Sequence, residues 1–110
     1  MTTIDINMRG QAVTVSGHAG YAEAGKDIVC AAVSALCWTL AATLHHAGAL
    51  LEATEDDGRM EIRWAGAVDE YLDMFTIGAE MIEQKYPDHV RVQGRNSLLF
   101  DDTIGKGVRA

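Results

Sequence analysis

The fold is organised around the stretch DIVCAAVSALCWTLAATLHHAG, residues 27–48. Alanine and leucine, which are strong helix formers, dominate this stretch and predict a long helix. Asp27 stands at the position of an N-cap, where a carboxylate accepts hydrogen bonds from the first free N–H groups. Gly48 stands at the C′ position, where a left-handed residue commonly ends a helix. The helix is therefore predicted to begin after Asp27 and to end before Gly48.

The same helix raises the question of a membrane span, because no charged residue occurs from Ile28 to Leu44. This run is shorter than the ~20 strongly apolar residues that cross a bilayer. It is also rich in alanine and carries hydroxyl groups at Ser34, Thr39 and Thr43. We therefore expect a buried helix of a folded domain and no membrane partner.

Two β-hairpins are predicted, one before and one after this helix. Apolar and polar residues alternate along Thr3–Met8 and again along Ala12–Ser16, which is typical of paired strands with one buried face. In the second hairpin, Leu50–Thr54 and Arg59–Trp64 flank the segment EDDG at residues 55–58. Its Asp-Gly pair is a strong signal for a tight hairpin turn.

A second helix is predicted from Val68 to Tyr86, where apolar residues recur every three or four positions, and Pro87 ends it. A second apolar stripe on this helix is formed by Met74, Ile77 and Met81. This stripe needs cover from the first helix or from another subunit, and Gly78 permits a close approach there.

A last strand is predicted over His89–Gln93. The element order is then β-β-α-β-β-α-β, which predicts a single small α+β domain with a sheet packed against two helices. Residues 95–110 are interpreted as a C-terminal tail that follows a domain of residues 1–94. The tail contains one apolar trio, Leu98-Leu99-Phe100.

Composition limits the partners and the compartment. The 110-residue chain has a net charge of -7 and a sequence pI near 4.8. It lacks the clustered Lys and Arg that nucleic acids recruit, so we expect a basic partner and no nucleic acid. Two cysteines do not make a disulfide-stapled secreted domain, and the first residues lack the features of a signal peptide. These observations favour the cytoplasm.

Cys30 and His18 are the candidates for nucleophilic chemistry. Cys30 falls at the third position of the predicted helix, where backbone N–H groups and the macrodipole favour an anionic thiolate. His18 stands at the root of a predicted flexible loop that carries Gly17, Gly20 and Gly25. An imidazole within reach takes the thiol proton and returns it to a leaving amine. The alternative is that Cys30 is a small buried hydrophobe and His18 an exposed loop residue.

Asp27 and Ser34 have two interpretations each. Asp27 caps the helix, or holds the His18 ring as the third member of a triad, and the two roles are compatible. Ser34 lies one turn after Cys30 and hydrogen-bonds either the thiolate or the Cys30 carbonyl. The oxyanion of an acyl-transfer intermediate is expected at the backbone N–H of Cys30 or its neighbours.

Disulfide, metal and cofactor chemistry are not expected. Along a helix the Cα of Cys37 lies ~10.5 Å from that of Cys30, beyond the ~7 Å that a disulfide allows. Cys37 therefore does not supply a resolving thiol for redox sensing by Cys30. His45 and His46 are adjacent, do not face each other, and have no further ligand at metal-binding spacing. The glycine loop continues into neither a phosphate-binding nor a dinucleotide-binding motif.

Two segments carry a resemblance to a known family: SGHAGYA at residues 16–22 and GKDIVCAAVSA at residues 25–35. They are similar to the Gly-His, glycine-loop and Asp-Ile-Val-Cys sequence of the bacterial ribosomal-processing cysteine protease family Prp. The order of elements over residues 3–94 also resembles that family. The chain departs from it in the short connection AGA at residues 65–67 and in the tail.

The resemblance implies peptide-bond cleavage by a Cys/His dyad, with Cys30 as nucleophile, His18 as general base, and Asp27 and Ser34 at supporting positions. It also implies a homodimer. The implied substrate is the N-terminal extension of ribosomal protein twenty-seven of the large subunit, which is a basic peptide partner.

Two other functions stay open. The residues also allow a non-enzymatic dimeric module that binds a peptide, and the family resemblance also implies a phage-type protease that trims virion proteins. A further hypothesis places the apolar trio of the tail in the cleft of the same chain or of a neighbouring one.

Overall fold

The structure, a computed structural model, describes residues 1–23 and 25–99. Their elements are β1 (Thr2–Asn7), β2 (Ala12–Ser16), α1 (Ile28–His46), β3 (Leu50–Asp56), β4 (Arg59–Trp64), α2 (Asp69–Lys85) and β5 (Val90–Gln93). The predicted order β-β-α-β-β-α-β and the α+β class are confirmed.

The five strands form one sheet in the order β3-β4-β2-β1-β5. Both predicted hairpins are present as antiparallel pairs, whereas β5 pairs in parallel with β1. The second hairpin turns at Asp57 and Gly58, and Gly58 has a φ of +69°. Because the turn takes only two residues, β3 continues to Asp56 and is longer than the alternation predicted.

The core lies between one face of the sheet and the two helices. Alternate residues of the strands are buried, as period-two patterning requires. They join the buried sides of both helices in one hydrophobic cluster, whose strand members include Ile4, Ile6, Val13, Val15, Met60, Ile62 and Trp64. The two helices therefore cover the same face of the sheet.

Helix α1 has the predicted ends, with Asp27 as N-cap and Gly48 at a φ of +74° just after the C-cap. It is long and apolar enough to cross a membrane by length and composition. However, one side of it belongs to the domain core, where Val29, Val33 and Leu44 are buried. This packing supports the interpretation of α1 as a core helix.

Helix α2 ends at Lys85, because Tyr86 precedes a proline and leaves the helical region with φ -129° and ψ 60°. Its second apolar stripe is only partly covered by α1. A Cβ built on Gly78 would lie 2.9 Å from Leu36 Cδ1, so the two helices approach closely there. Met74 remains 61% exposed.

The segment that follows β5 is held on α2 by the carboxylate of Glu80, which is only 4% exposed. Glu80 accepts hydrogen bonds from the N–H groups of Leu98, at 2.8 Å, and Leu99, and from the Ser97 hydroxyl. Leu99 is buried as a result. Residues 97–99 thus pack on α2 as part of the folded domain.

Candidate active site

The site lies at the end of the sheet where β2 ends and β4 begins. Gly17 follows β2, and its N–H donates to the Gly58 carbonyl at 2.8 Å. It has a φ of +83°, and a Cβ at this position would lie 2.3 Å from the Met1 carbonyl oxygen. Only glycine fits this conformation and this space. The root of the glycine loop is therefore fixed, and His18 projects from it.

Asp27 connects the glycine loop to the start of α1. Its Oδ1 accepts from the N–H groups of Val29, at 3.0 Å, and Cys30, at 2.9 Å. Its Oδ2 accepts from Tyr21, at 3.0 Å, and Ala22, at 3.3 Å. These hydrogen bonds, above all the one from Cys30, lower the pKa of the Asp27 carboxyl from its ordinary value.

These contacts separate the two interpretations of Asp27. Its carboxylate acts as the N-cap and also holds the loop. It makes no hydrogen bond to His18 within the described part of the chain. The expected oxyanion donors are affected too, because the N–H groups of Val29 and Cys30 already donate to Asp27. The expectation that the N–H groups of Val29 and Cys30 bind the oxyanion is therefore wrong for the arrangement seen in the structure.

Cys30 is half-buried in the first turn of α1. The Ala19 N–H donates to its Sγ at 3.4 Å. The sulfur also lies at the N-terminus of α1, where the helix carries its partial positive charge. The glycine loop and the helix therefore meet at the Cys30 sulfur.

His18 is exposed and lies beside the turn of the second hairpin, where a Cβ on Gly58 would come within 3.4 Å of its Nε2. No hydrogen bond joins His18 to Cys30 among the described residues. Both side chains nevertheless face one cavity. Catalytic hydrogen bonds commonly tighten only when substrate binds, so this arrangement is compatible with a base and its nucleophile.

The cavity has a volume of about 500 Å³, which is in the range of small-molecule and peptide sites. Its lining includes Gly17 and His18 from the loop, four residues of α1 and the turn of the second hairpin. The α1 residues are Cys30, Val33, Ser34 and Cys37. Glu55, Asp56 and Asp57 make one side of the cavity acidic.

Ser34 and Cys37 have different places in this lining. Ser34 is exposed, and within the described residues its hydroxyl bonds neither the Cys30 thiol nor the Cys30 carbonyl. Cys37 is 1% exposed, and burial, followed by the nearby charge of Glu55, raises its pKa to about 12. Cys37 is therefore a neutral thiol at the floor of the cavity. Both cysteines are free, in agreement with the distance argument.

The hypothesis that the tail occupies the cleft of its own chain is wrong for Leu98 and Leu99, because both are held on α2 by Glu80 and neither lines the cavity. Phe100 and the rest of the tail lie outside the described residues. Over residues 1–23 and 25–99, no group of three or more His, Cys, Asp or Glu side chains is arranged to hold a metal ion.

The packing of Tyr21 on two other aromatic residues near the site was not indicated by the sequence patterns. Tyr21 packs edge-on against Tyr86 and against His89, at centroid distances of 5.4 Å and 5.5 Å. His89 also places Nδ1 2.9 Å from the Ala19 carbonyl oxygen. These contacts join segments about 70 residues apart, and no local pattern marks them.

The sequence of this chain matches a known family, and its fold matches known structures. The family described as cysteine protease Prp matches residues 1–91. The fold resembles the essential ribosomal processing protease Prp from S. aureus in complex with a covalently linked product peptide. That match has a TM-score of 0.73 and 27% identity, and covers 84% of this chain and 98% of the other.

Two further crystal structures are similar. The S. aureus Prp complex with a substrate peptide has a TM-score of 0.64 and 27% identity, with 84% and 95% of the two chains covered. SMU.848 from Streptococcus mutans has a TM-score of 0.61 and 28% identity, with 84% and 90% covered. No curated protein matches the sequence.

The fold and the family match define the class of this protein: it is a small α+β cysteine protease. The chain belongs to the family of the cysteine protease Prp, whose sequence pattern extends over both hairpins and both helices.

Proposed function

We propose that this chain is an endopeptidase in which Cys30 is the nucleophile and His18 the general base. The observation that carries the proposal is the shared cavity, which holds the Cys30 thiol at the start of α1 together with the His18 ring. The neutral state of Cys37 supports the choice of Cys30, because only a thiolate is an effective nucleophile.

The reaction follows the chemistry of acyl transfer. His18 accepts the Cys30 proton, and Sγ attacks the carbonyl carbon of the scissile peptide bond. The tetrahedral intermediate collapses as the C–N bond breaks, and the imidazolium gives its proton to the leaving amine. Water then loses a proton to His18 and attacks the thioester, which releases the acid and restores the thiol. The Ala19 N–H, which donates to Sγ in the free protein, is the proposed donor to the oxyanion that forms beside the sulfur.

The proposed substrate is the N-terminal extension of ribosomal protein twenty-seven of the large subunit. The acidic side of the cavity and the net charge of -7 suit a basic protein. The likeness to the S. aureus ribosomal processing protease, whose structures hold a product peptide and a substrate peptide, supports the same class of substrate. Such a substrate is made in the cytoplasm, where we place this protein.

The proposal includes a homodimer. A groove between α1 and α2 is lined by apolar and hydroxyl-bearing side chains, and Met74 at this groove is largely exposed. Burial of this surface against a second copy gives the second stripe of α2 a partner. Sedimentation equilibrium tests the homodimer. We expect the unmodified protein to be a dimer and Met74→Asp to dissociate it. An unmodified protein that is a monomer at micromolar concentration contradicts the proposal.

The central experiment incubates the protein with a peptide that spans the ribosomal extension and identifies the products by mass spectrometry. We expect one cleavage, lost in both Cys30→Ala and His18→Ala and retained in the control His46→Ala, whose side chain is exposed at the end of α1. Cleavage that survives Cys30→Ala overturns the mechanism. An uncut peptide with the unmodified protein overturns the assigned substrate.

A further inference from the structure

His89 occupies a fixed position just before β5. Its backbone N–H donates to the Tyr86 carbonyl at 3.0 Å, and its own carbonyl accepts from the Thr2 N–H at 2.9 Å. The backbone is thus tied to the end of α2 on one side and to the start of β1 on the other. The imidazole is therefore attached to a fixed part of the backbone, and it faces the glycine loop.

The ring of His89 binds the loop at one atom. Nδ1 lies 2.9 Å from the carbonyl oxygen of Ala19. A carbonyl oxygen only accepts hydrogen bonds, so Nδ1 must carry the proton. Tyr21 packs edge-on against the same ring, with an interplanar angle of 80°. The orientation of the ring is therefore fixed from two sides.

Ala19 connects this contact to the reactive thiol. It is 2% exposed, and its N–H is the group that donates to Cys30 Sγ. The carbonyl of the same residue is the group that His89 holds. A displacement of Ala19 along the direction of its carbonyl therefore changes the distance between its N–H and the sulfur.

We propose that His89 is a positioning residue: it fixes Ala19 so that the Ala19 N–H reaches the Cys30 sulfur. This role of His89 rests on the proposed function, in which Cys30 is the nucleophile. Asp27 holds the loop at Tyr21 and Ala22, and His89 holds it at Ala19. Asp27 and His89 together hold the loop in place over the start of α1.

Two substitutions separate the hydrogen bond from the bulk of the ring. His89→Asn keeps an N–H donor at nearly the position of Nδ1, whereas His89→Leu keeps volume and removes the donor. His46→Leu is the matched control, because His46 is exposed in the last turn of α1. Melting temperatures of all three variants establish that each is folded.

The first readout is the rate at which iodoacetamide alkylates Cys30, followed by mass spectrometry. His89→Leu is expected to slow this reaction roughly three- to tenfold, the range that one neutral hydrogen bond provides. His89→Asn is expected to restore most of the rate, and His46→Leu to leave it unchanged. An unchanged or faster rate in a folded His89→Leu protein overturns the proposal.

The second readout uses the unmodified protein and does not depend on any variant folding. The ¹⁵N shifts of the His89 ring report which nitrogen carries the proton. A proton on Nδ1 is expected, and a neutral ring protonated only on Nε2 overturns the proposal.

Peptide cleavage is the third readout, and kcat/KM is expected to fall by the same factor as alkylation. Alkylation and ring protonation do not require a peptide substrate. If the ribosomal peptide is not cut by the unmodified protein, the assigned substrate fails while the first two measurements still decide the role of His89.

Discussion

The two free thiols are expected to react with iodoacetamide at very different rates. Cys37 is buried, and this burial, with a smaller contribution from Glu55, raises its pKa from 9.0 to about 12. Because only the thiolate attacks the reagent, the reactive fraction of Cys37 at neutral pH falls roughly a thousandfold. Cys30 is half-buried at the start of α1 and accepts a hydrogen bond from the Ala19 N–H.

Allowing for some loss of access at Cys30, its alkylation in the native protein should be at least about a hundredfold faster than that of Cys37. The assay quenches the reaction at successive times and quantifies the two cysteine-containing peptides by mass spectrometry. Alkylation in denaturant is the internal control, because both thiols are then solvated and their rates should converge. Native rates that differ by less than about tenfold would refute the assignment of Cys30 as the activated thiol.

Three further substitutions test the root of the glycine loop, the Asp27 carboxylate that holds this loop, and the segment that follows β5. Gly17→Ala places a Cβ 2.3 Å from a backbone carbonyl oxygen at a φ of +83°, so we expect a lower melting temperature and lost cleavage; a stable, active variant contradicts this. Hydrogen bonds lower the pKa of Asp27 below 3.8, so its stabilisation is complete above about pH 4 and disappears as the pH falls through the lowered value. The melting-temperature advantage over Asp27→Asn should therefore shrink in acid, and an advantage independent of pH argues against the charge. Glu80→Ala removes the acceptor of the Leu98 and Leu99 N–H groups and should cost about 1–3 kcal/mol in urea unfolding, whereas exposed Glu70→Ala should cost little.

The parts of the fold that could be predicted rest on interactions between residues close in sequence. The Asp27 cap, the Gly48 helix end and the turn at Asp57 and Gly58 each involve a side chain or a backbone conformation within a few positions. Alternation and helical periodicity then locate the elements, because each reflects burial on one face. The resemblance in residues 16–35 led to the family, since the cap, loop and cysteine stand in one short stretch.

The remaining features depend on contacts between distant segments. Nothing local indicates that β5 pairs in parallel with β1, where Thr2 faces Val90. The contact of His89 with Ala19 follows from this pairing, because it brings the start of β5 to the glycine loop. The expected oxyanion donors were wrong for a related reason. The sequence predicts that Asp27 caps α1, but it does not show that the Asp27 carboxylate accepts hydrogen bonds from the N–H groups of both Val29 and Cys30.

Strand register connects the stability of the domain to the geometry of its site. In the pairing of β2 with β4, Ser16 faces Arg59, and the next residue of the chain, Gly17, donates to Gly58. A slip of one residue would turn the buried side chains of β2 outward and would also remove this hydrogen bond. His18 follows directly, so the register that buries the core also sets the position of the imidazole over the cavity. Changes that loosen this pairing should therefore reduce catalysis before they unfold the protein, because the loop root lies at the end of both strands.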